Sequence, residues 1–290
     1  PPRSTLFPYT TLFRSRVLRA LTTDTTYAKV RYYYKFRRRL NLRTPTTFNE
    51  KLQWLKLYHR PLGLSRLVDK YEVREYVRER CGDGLLNDLY GVYRSADEIE
   101  FRALPDQFVL RATHGSGWVV LCTSKASLDT TKTRNAIRQW LTTDYYRMWG
   151  EWAYKGVEPR VVCERYLGNN DGRALLDYKY YCFHGEPKYV HVDLDRFSDH
   201  RRNFYDLQWH RLPFGLGYPQ SEADVPKPGG LAEMLSVARA LAHDHLFVRV
   251  DLYEVNGRIY FGELTFYPGN GLELFTPAEY DFALGDLLHL

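Results

Sequence analysis

Asp251 and Glu263 sit on either side of a turn in the stretch 247–271, FVRVDLYEVNGRIYFGELTFYPGNG, with Arg249 close to the first of them. Two carboxylates held by neighbouring strands can grip Mg²⁺, and an adjacent guanidinium can steady charge on a phosphate or a tetrahedral intermediate. Phosphoryl chemistry is the activity this pattern suggests. An ordinary amphipathic hairpin with its charges in water would give the same residues, so the pattern alone leaves both readings open.

The turn decides whether the carboxylates meet, because successive strand side chains point to opposite faces and a one-residue change of loop flips one strand against the other. Asn256-Gly257 as a two-residue turn would pair Val255 with Arg258 and throw Asp251 and Glu263 onto opposite faces. A three-residue loop over 255–257, with Gly257 as the left-handed bulge residue, sets Glu263 opposite Arg249 and diagonal to Asp251. We expect the bulged loop.

Other segments must bring cations to this hairpin. Thr47-Phe-Asn-Glu50 reads as a capping box, opening a helix that buries Phe48, Leu52, Leu55 and Tyr58 and stops at Pro61. Asp69 is a second candidate cap, followed by an inward stripe of Val73, Tyr76 and Val77 and an end at Gly82. Lys70 then falls in the first turn, where a cation opposes the helix dipole unless a phosphate shares the site; a solvated lysine is the alternative. Residues 107–113 form an apolar strand interrupted by Arg111, and His114-Gly-Ser-Gly117 leads into a second strand. Such a tip can bring backbone amides to phosphates or be a plain hairpin turn.

Strands follow at 161–167, 177–183 and 188–194. The Pro- and Gly-rich stretch 213–230 reads as a surface loop, and 231–245 has helical spacing at Leu231, Leu235, Ala238 and Leu241. Many strands and few helices between them imply an α+β fold rather than a doubly wound parallel sheet. No internal repeat is visible.

At 290 residues, 44% hydrophobic and 16% aromatic, the chain can bury a core and is no disordered polymer. No apolar run reaches the ~20 residues of a membrane-crossing helix, and no secretory signal pattern opens the chain, so a cytoplasmic protein is expected, with the inner membrane face as one place it could associate. Cys81, Cys122, Cys163 and Cys182 lack zinc or CxxC spacing and read as reduced thiols. Residues 1–15 repeat TLF without helical or strand period and resemble a translated adaptor read. They carry Arg3 and Arg14, so the remainder of a chain with formal charge +6 is only mildly basic. From 27 to 43, Lys29, Arg31, Lys35, Arg37, Arg38, Arg39 and Arg43 surround Tyr32, Tyr33 and Tyr34. This cluster could meet anionic lipid or an envelope polymer, or be a solvated helix face; no nucleic-acid partner is expected.

In order, TFNEKLQWLKLYHRPL, VDKYEVREYV, FVLRATHGSG, VCERYL, DYKYYCFHG, RVDLYEVNG and GELTFYPGNG resemble the ATP-grasp superfamily, most of all its TupA-like branch, from about Asn41 to Leu290. The resemblance implies an ATP-grasp fold, two α+β subdomains clasping a nucleotide: a helical region over 16–103, a first subdomain over 104–166 and a second over 167–290. It implies ATP and Mg²⁺ as cofactors. Lys70 and Arg111 match phosphate-binding cations, and Gly115, Ser116 and Gly117 match the loop covering the phosphates. Glu164, Arg165, Tyr166 and Leu167 match the hinge that reads adenine through backbone groups, with Asp177 as ribose acceptor. Apart from the resemblance, Lys179 and Arg202 read either as additional phosphate or substrate cations or as solvated strand charges. Asp251 and Glu263 match the magnesium carboxylates, and Arg249 the residue steadying the acyl intermediate. Two positions depart from the pattern: Arg111 stands where lysine is usual, and Thr265 where asparagine is the common third metal ligand. The implied activity is an amide-forming ligase that joins a carboxylate and an amine through an acyl phosphate, in cell-envelope polysaccharide or peptide-polymer synthesis. Two rivals stay open: a glycosyltransferase using Asp193 and Asp195 as a D-x-D pair, and a non-catalytic polyanion binder on a nucleotide fold.

Overall fold

The Thr47 hydroxyl accepts from the Glu50 amide at 3.3 Å while Glu50 Oε2 accepts from the Thr47 amide at 3.3 Å, so the expected capping box closes. These distances come from a computed structural model of the chain, which describes residues 22–168, 175–194 and 199–290. The adaptor-like stretch 1–15 lies outside the described residues.

Helices α1 (Asp24–Phe36), α2 (Phe48–Tyr58), α3 (Leu64–Val68) and α4 (Val73–Cys81) build the N-terminal part. Helix α2 buries Phe48, Leu52 and Leu55 as its spacing requires, but Tyr58 is half exposed. Within the basic cluster, Arg31 lies over the Tyr27 and Trp149 rings and Arg38 bonds Tyr32 and Asp281, while Lys29, Lys35, Arg37, Arg39 and Arg43 face solvent. Helix α4 starts later than expected. The Asp69 carboxylate accepts from the amides of Tyr71 (2.7 Å) and Glu72 (3.1 Å), which caps the turn before the helix and leaves Lys70 in that turn.

Strand β1 (Leu89–Tyr93) falls in the span expected to be helical and instead joins the first sheet. With β2 (Phe108–Ala112), β3 (Val119–Cys122) and β4 (Val161–Arg165) it forms an antiparallel sheet of order β1-β4-β2-β3. Phe108, Leu110, Val161 and Cys163 point to one side, where Ile137 of α5 (Thr130–Leu141) closes a core. Alternation sends Arg111 and Glu164 to the other side. A short helix, α6 (Tyr145–Trp149), follows α5.

The second sheet orders β10-β9-β5-β6-β7, from β5 (Asp177–Phe183), β6 (Glu186–Leu194), β7 (Arg201–Tyr205), β9 (Phe247–Val255) and β10 (Arg258–Thr265). Helix α7 (Leu231–Ala242) packs Met234, Ala238 and Leu241 on the face that carries Tyr180, Val250 and Leu252. A ribbon of β8 (Gly215–Leu216) and β11 (Phe275–Thr276) precedes the last helix, α8 (Glu279–Asp286).

The hairpin corrects the expected register. Val255 pairs with Arg258, and Asn256 (φ 53°) and Gly257 (φ 78°) are both left-handed, as a two-residue turn requires. The extra residue sits in the strand: pairing shifts between Phe261 and Glu263, so Gly262 is the bulge. Beyond it Glu263 pairs with Asp251, and Thr265 rather than Glu263 pairs with Arg249. A side chain at Gly262 would place its Cβ 2.9 Å from both the Asp251 carbonyl oxygen and the Tyr253 ring.

Among the described residues no helix is long and apolar enough to cross a membrane, and all four cysteines are free.

Candidate functional site

The bulge puts both carboxylates on one face of the second sheet, beside Arg249 and across from Arg111 of the first. Arg249 grips Asp251 with two donors, Nε to Oδ1 at 2.7 Å and Nη2 to Oδ2 at 2.6 Å. Lys179 Nζ reaches Asp251 Oδ2 at 2.9 Å and also bonds Asp177. Asp251, Asp177 and Lys179 are all buried. Glu263 is more open: Thr265 Oγ1 donates to its Oε1 at 3.3 Å, Arg249 Nη2 lies 3.6 Å away, and the same Nη2 donates to Thr265 Oγ1 at 3.0 Å.

The first sheet supplies the other wall. Arg111 Nη1 lies 3.4 Å from Glu164 Oε2, whose other oxygen meets Arg74 at 3.4 Å, and Arg111 Nη2 donates to the Gly262 carbonyl at 3.3 Å. Lys70 Nζ donates to the Gly115 carbonyl at 2.5 Å, at the base of the Gly115-Ser116-Gly117 loop. Its turn is anchored by Arg160, which bonds Asp69 and Glu72 at 2.8 Å each. Ser116 and Gly117 are exposed at the tip, while Gly115 packs against the rings of Trp118 and Tyr145.

Electrostatics join the two walls at Glu263. Burial is the largest influence on its carboxyl and would raise its pKa, yet Lys70, Arg249, Arg111 and Lys179 together hold it down to about 2. Burial also lowers the Lys70 ammonium to about 8, with Glu263 pulling it up and Arg111 pushing it down. Cations from both sheets therefore converge on one carboxylate.

The residues fit a divalent ion bound with phosphate. Among the described residues no group of three or more His, Cys, Asp or Glu side chains stands ready to cage a metal. Two facing carboxylates and a hydroxyl suit Mg²⁺, which takes one or two carboxylates and completes its shell with phosphate oxygens and water.

Other anticipated site residues lie in different surroundings. Asp177 lies on the cleft floor against Lys179 rather than at a rim. Arg165 has both backbone groups engaged, its amide with the Asp88 carbonyl and its carbonyl with Asn87 Nδ2, so it offers no free backbone group to a base. Arg202 is buried, bonding Asp193 at 2.7 Å and Glu273 at 3.2 Å, away from the Glu263 cluster on the far strand of the sheet. Asp193 is held by Arg202 and by His200 at 3.0 Å, and Asp195, its partner in the D-x-D pair, lies outside the described residues. His114 donates to or accepts from no phosphate-facing group; its Nε2 is 2.9 Å from the Trp140 carbonyl.

Sequence reasoning missed Arg74 and Gly262. Arg74 of α4 pairs with Glu164 of β4, a contact that no spacing along its own helix signals.

A family model described as TupA-like ATPgrasp matches residues 50–289, most of the chain. No curated protein matches. Among solved structures, D-alanine–D-alanine ligase from Bacillus anthracis complexed with ATP aligns at 15% identity and TM-score 0.41, over 70% of this chain and 55% of that one. The D-alanine–D-alanine ligase from Helicobacter pylori aligns at 15% identity and TM-score 0.43, over 83% and 69% respectively. An L-amino acid ligase from Bacillus licheniformis aligns at 14% identity and TM-score 0.47, over 92% and 62%. The chain thus spans about half the length of the first of these. It belongs to the TupA-like ATP-grasp family and has an α+β ATP-grasp fold.

Proposed function

We propose that this TupA-like ATP-grasp protein is an ATP- and Mg²⁺-dependent carboxylate–amine ligase working through an acyl phosphate. The observation that carries the reading is the convergence of Lys70 from the turn before α4, Arg111 from the first sheet and Lys179 and Arg249 from the second on Glu263, directly across from Asp251. In this reading a substrate carboxylate attacks the terminal phosphate of ATP, and an amine then displaces phosphate from the acyl group.

The chain's own residues have mainly to align and neutralise. Lys70 from the turn before α4 and Arg111 from the first sheet take phosphate charge, with the Gly115-Ser116-Gly117 loop closing over them. Arg249 is fixed in orientation by its two-donor grip on Asp251, so its remaining capacity is aimed beside Glu263 at the acyl centre. Lys179 balances Asp251 and Asp177. Mg²⁺ held by Asp251 and Glu263, with Thr265 beside them, would supply charge neutralisation for the phosphate oxygens.

The family resemblance supports a place in cell-envelope polysaccharide or peptide-polymer synthesis. The exposed Lys29, Lys35, Arg37, Arg39 and Arg43, with Tyr33 and Tyr34, support contact with an anionic membrane face or envelope polymer on the cytoplasmic side.

An ADP-release assay with Mg²⁺ over a panel of amino acids and acidic sugars tests turnover and substrate class together. The ligase reading expects ADP only when a matching carboxylate and amine are both present. No ADP above background in any mixture would overturn it.

A further inference from the structure

A cavity of about 440 Å³ lies where α1, residues 40–43 and the end of α2 meet, lined by Lys29, Leu40, Asn41, Leu42, Arg43 and Tyr58. Its size is that of a small-molecule pocket. Arg37 takes a left-handed conformation (φ 56°) that ends α1, and the chain turns back so that Leu40 packs with Ala28, Tyr32 and Leu57. Asn41 fixes the next turn. Its Oδ1 accepts from the amides of Arg43 (3.2 Å) and Thr44 (3.1 Å), and its Nδ2 donates to the Thr44 carbonyl at 2.7 Å. Tyr58, which helical spacing assigns to the buried stripe of α2, stands half exposed at the cavity instead, its ring edge-on to Trp54 at 5.5 Å.

Charge here is one-sided. Residues 27–43 carry seven cations and no Asp or Glu. Arg31 lies over the Trp149 ring and Arg38 pairs with Asp281. Lys29 and Arg43, both at the cavity, face solvent and make no hydrogen bond or ion pair with a described residue. Two cations without a carboxylate partner suit a phosphate, which the guanidinium fork can meet with two donors. The floor adds a second requirement. Leu40 and Leu42 give the cavity an apolar base, which favours a phosphate attached to carbon chains over a water-soluble polyanion. Tyr33 (51% exposed) and Tyr34 (69% exposed) stand on the same helix as Lys29, with Lys35, Arg37 and Arg39 around them. Exposed tyrosines among cations are the pattern of a membrane-facing surface.

We propose that this cavity binds the phosphodiester headgroup of an anionic glycerophospholipid, with the phosphate between Lys29 and Arg43 and the glycerol carbons on Leu40 and Leu42, beside the Tyr58 ring. Lys35, Arg37 and Arg39 then lie against the charged membrane face and add attraction without touching that lipid. The inference narrows the anionic contact proposed above to one ligand, rests on that contact, and is independent of the ligase chemistry.

The test uses dihexanoylphosphatidylglycerol as a monomer below its micelle concentration, so that a lipid can bind without a membrane, and reads its affinity for the full chain by calorimetry. Two double variants remove equal charge: Lys29→Gln with Arg43→Gln at the cavity, and Lys35→Gln with Arg39→Gln outside it. The cavity pair is expected to weaken the lipid about 30-fold and the outer pair by less than about 3-fold. On vesicles containing phosphatidylglycerol both pairs lose affinity, because every cation feels the surface charge. Equal loss of monomer affinity in the two pairs, or no monomer binding to wild type, overturns the cavity. Glycerol phosphate binding as tightly as the lipid, or dextran sulfate bound where the lipid is not, overturns it in favour of a soluble anion. Wild type that leaves vesicles, dextran sulfate and lipid all unbound overturns the anionic contact itself, and none of these outcomes depends on ADP release.

Discussion

Glu263 and Asp251 lie opposite one another, but their surroundings predict different responses to mutation. Glu263 is partly open and faces four cations, so Glu263→Gln is expected to lower ADP release at least ~100-fold and to lower the denaturant midpoint, though by less than the loss at Asp251. Asp251 is buried between Arg249 and Lys179, and Asp251→Asn strips both of their counter-charge. Its loss of activity should come with about 3–5 kcal/mol of destabilisation in urea titration. Lys70 gives a pH signature. Its folded value of about 8 lies below the ordinary 10.5, so between these the unfolded chain binds more protons and this residue's contribution to stability rises with pH. Phosphate binding needs the ammonium form and runs the other way. Calorimetric ATP affinity should fall as pH passes from 7 to 9, and Lys70→Met should flatten that dependence; a wild-type affinity that is level across this range would exclude Lys70 as a phosphate ligand.

At the scale of elements, the site depends on one glycine. Asn256-Gly257 dictates a two-residue turn, and that turn alone would separate the carboxylates; the bulge at Gly262 restores them to one face. Gly262→Ala forces a Cβ against the Asp251 carbonyl and the Tyr253 ring, with an expected cost of about 1–3 kcal/mol and a larger loss of activity than of stability. A variant with full ADP release would show that the register tolerates displacement of Glu263. This is also where sequence reasoning reached its limit. The capping box at Thr47, the α2 stripe, the helix at 231–242 and the turn residues were readable, because each signal is local. A bulge inside a strand has no local signature beyond a glycine, so the extra residue was assigned to the loop. Strand β1 was missed for a similar reason: it is short, and it is defined by pairing with β4, far along the chain. Lys70, Arg111, Asp251 and Glu263 stand out by residue type and spacing, and the family resemblance implies their roles, whereas the pairing of Arg74 with Glu164 becomes visible only once α4 is packed beside the first sheet.

For the whole molecule, the two sheets are joined at the cleft by contacts such as Arg111 to the Gly262 carbonyl and Arg165 to the Tyr260 hydroxyl at 2.7 Å. A ligand held by cations from both sheets should therefore stabilise the entire chain. ATP with Mg²⁺ at 100 times its Kd contributes about 2.7 kcal/mol, enough to raise Tm by about 4–5 °C, and Arg111→Ala should shrink the shift. A sugar nucleotide that raises Tm when ATP with Mg²⁺ does not would instead favour a glycosyltransferase. The account's central claim is that one triphosphate lies between these sheets with its metal on the β9–β10 hairpin. A crystal structure with a non-hydrolysable ATP analogue and Mn²⁺, located by anomalous scattering, tests it most directly. The account predicts a manganese peak between the carboxylates of Asp251 and Glu263, with phosphate oxygens on Lys70 and Arg111. A metal or nucleotide bound away from that cleft would contradict it.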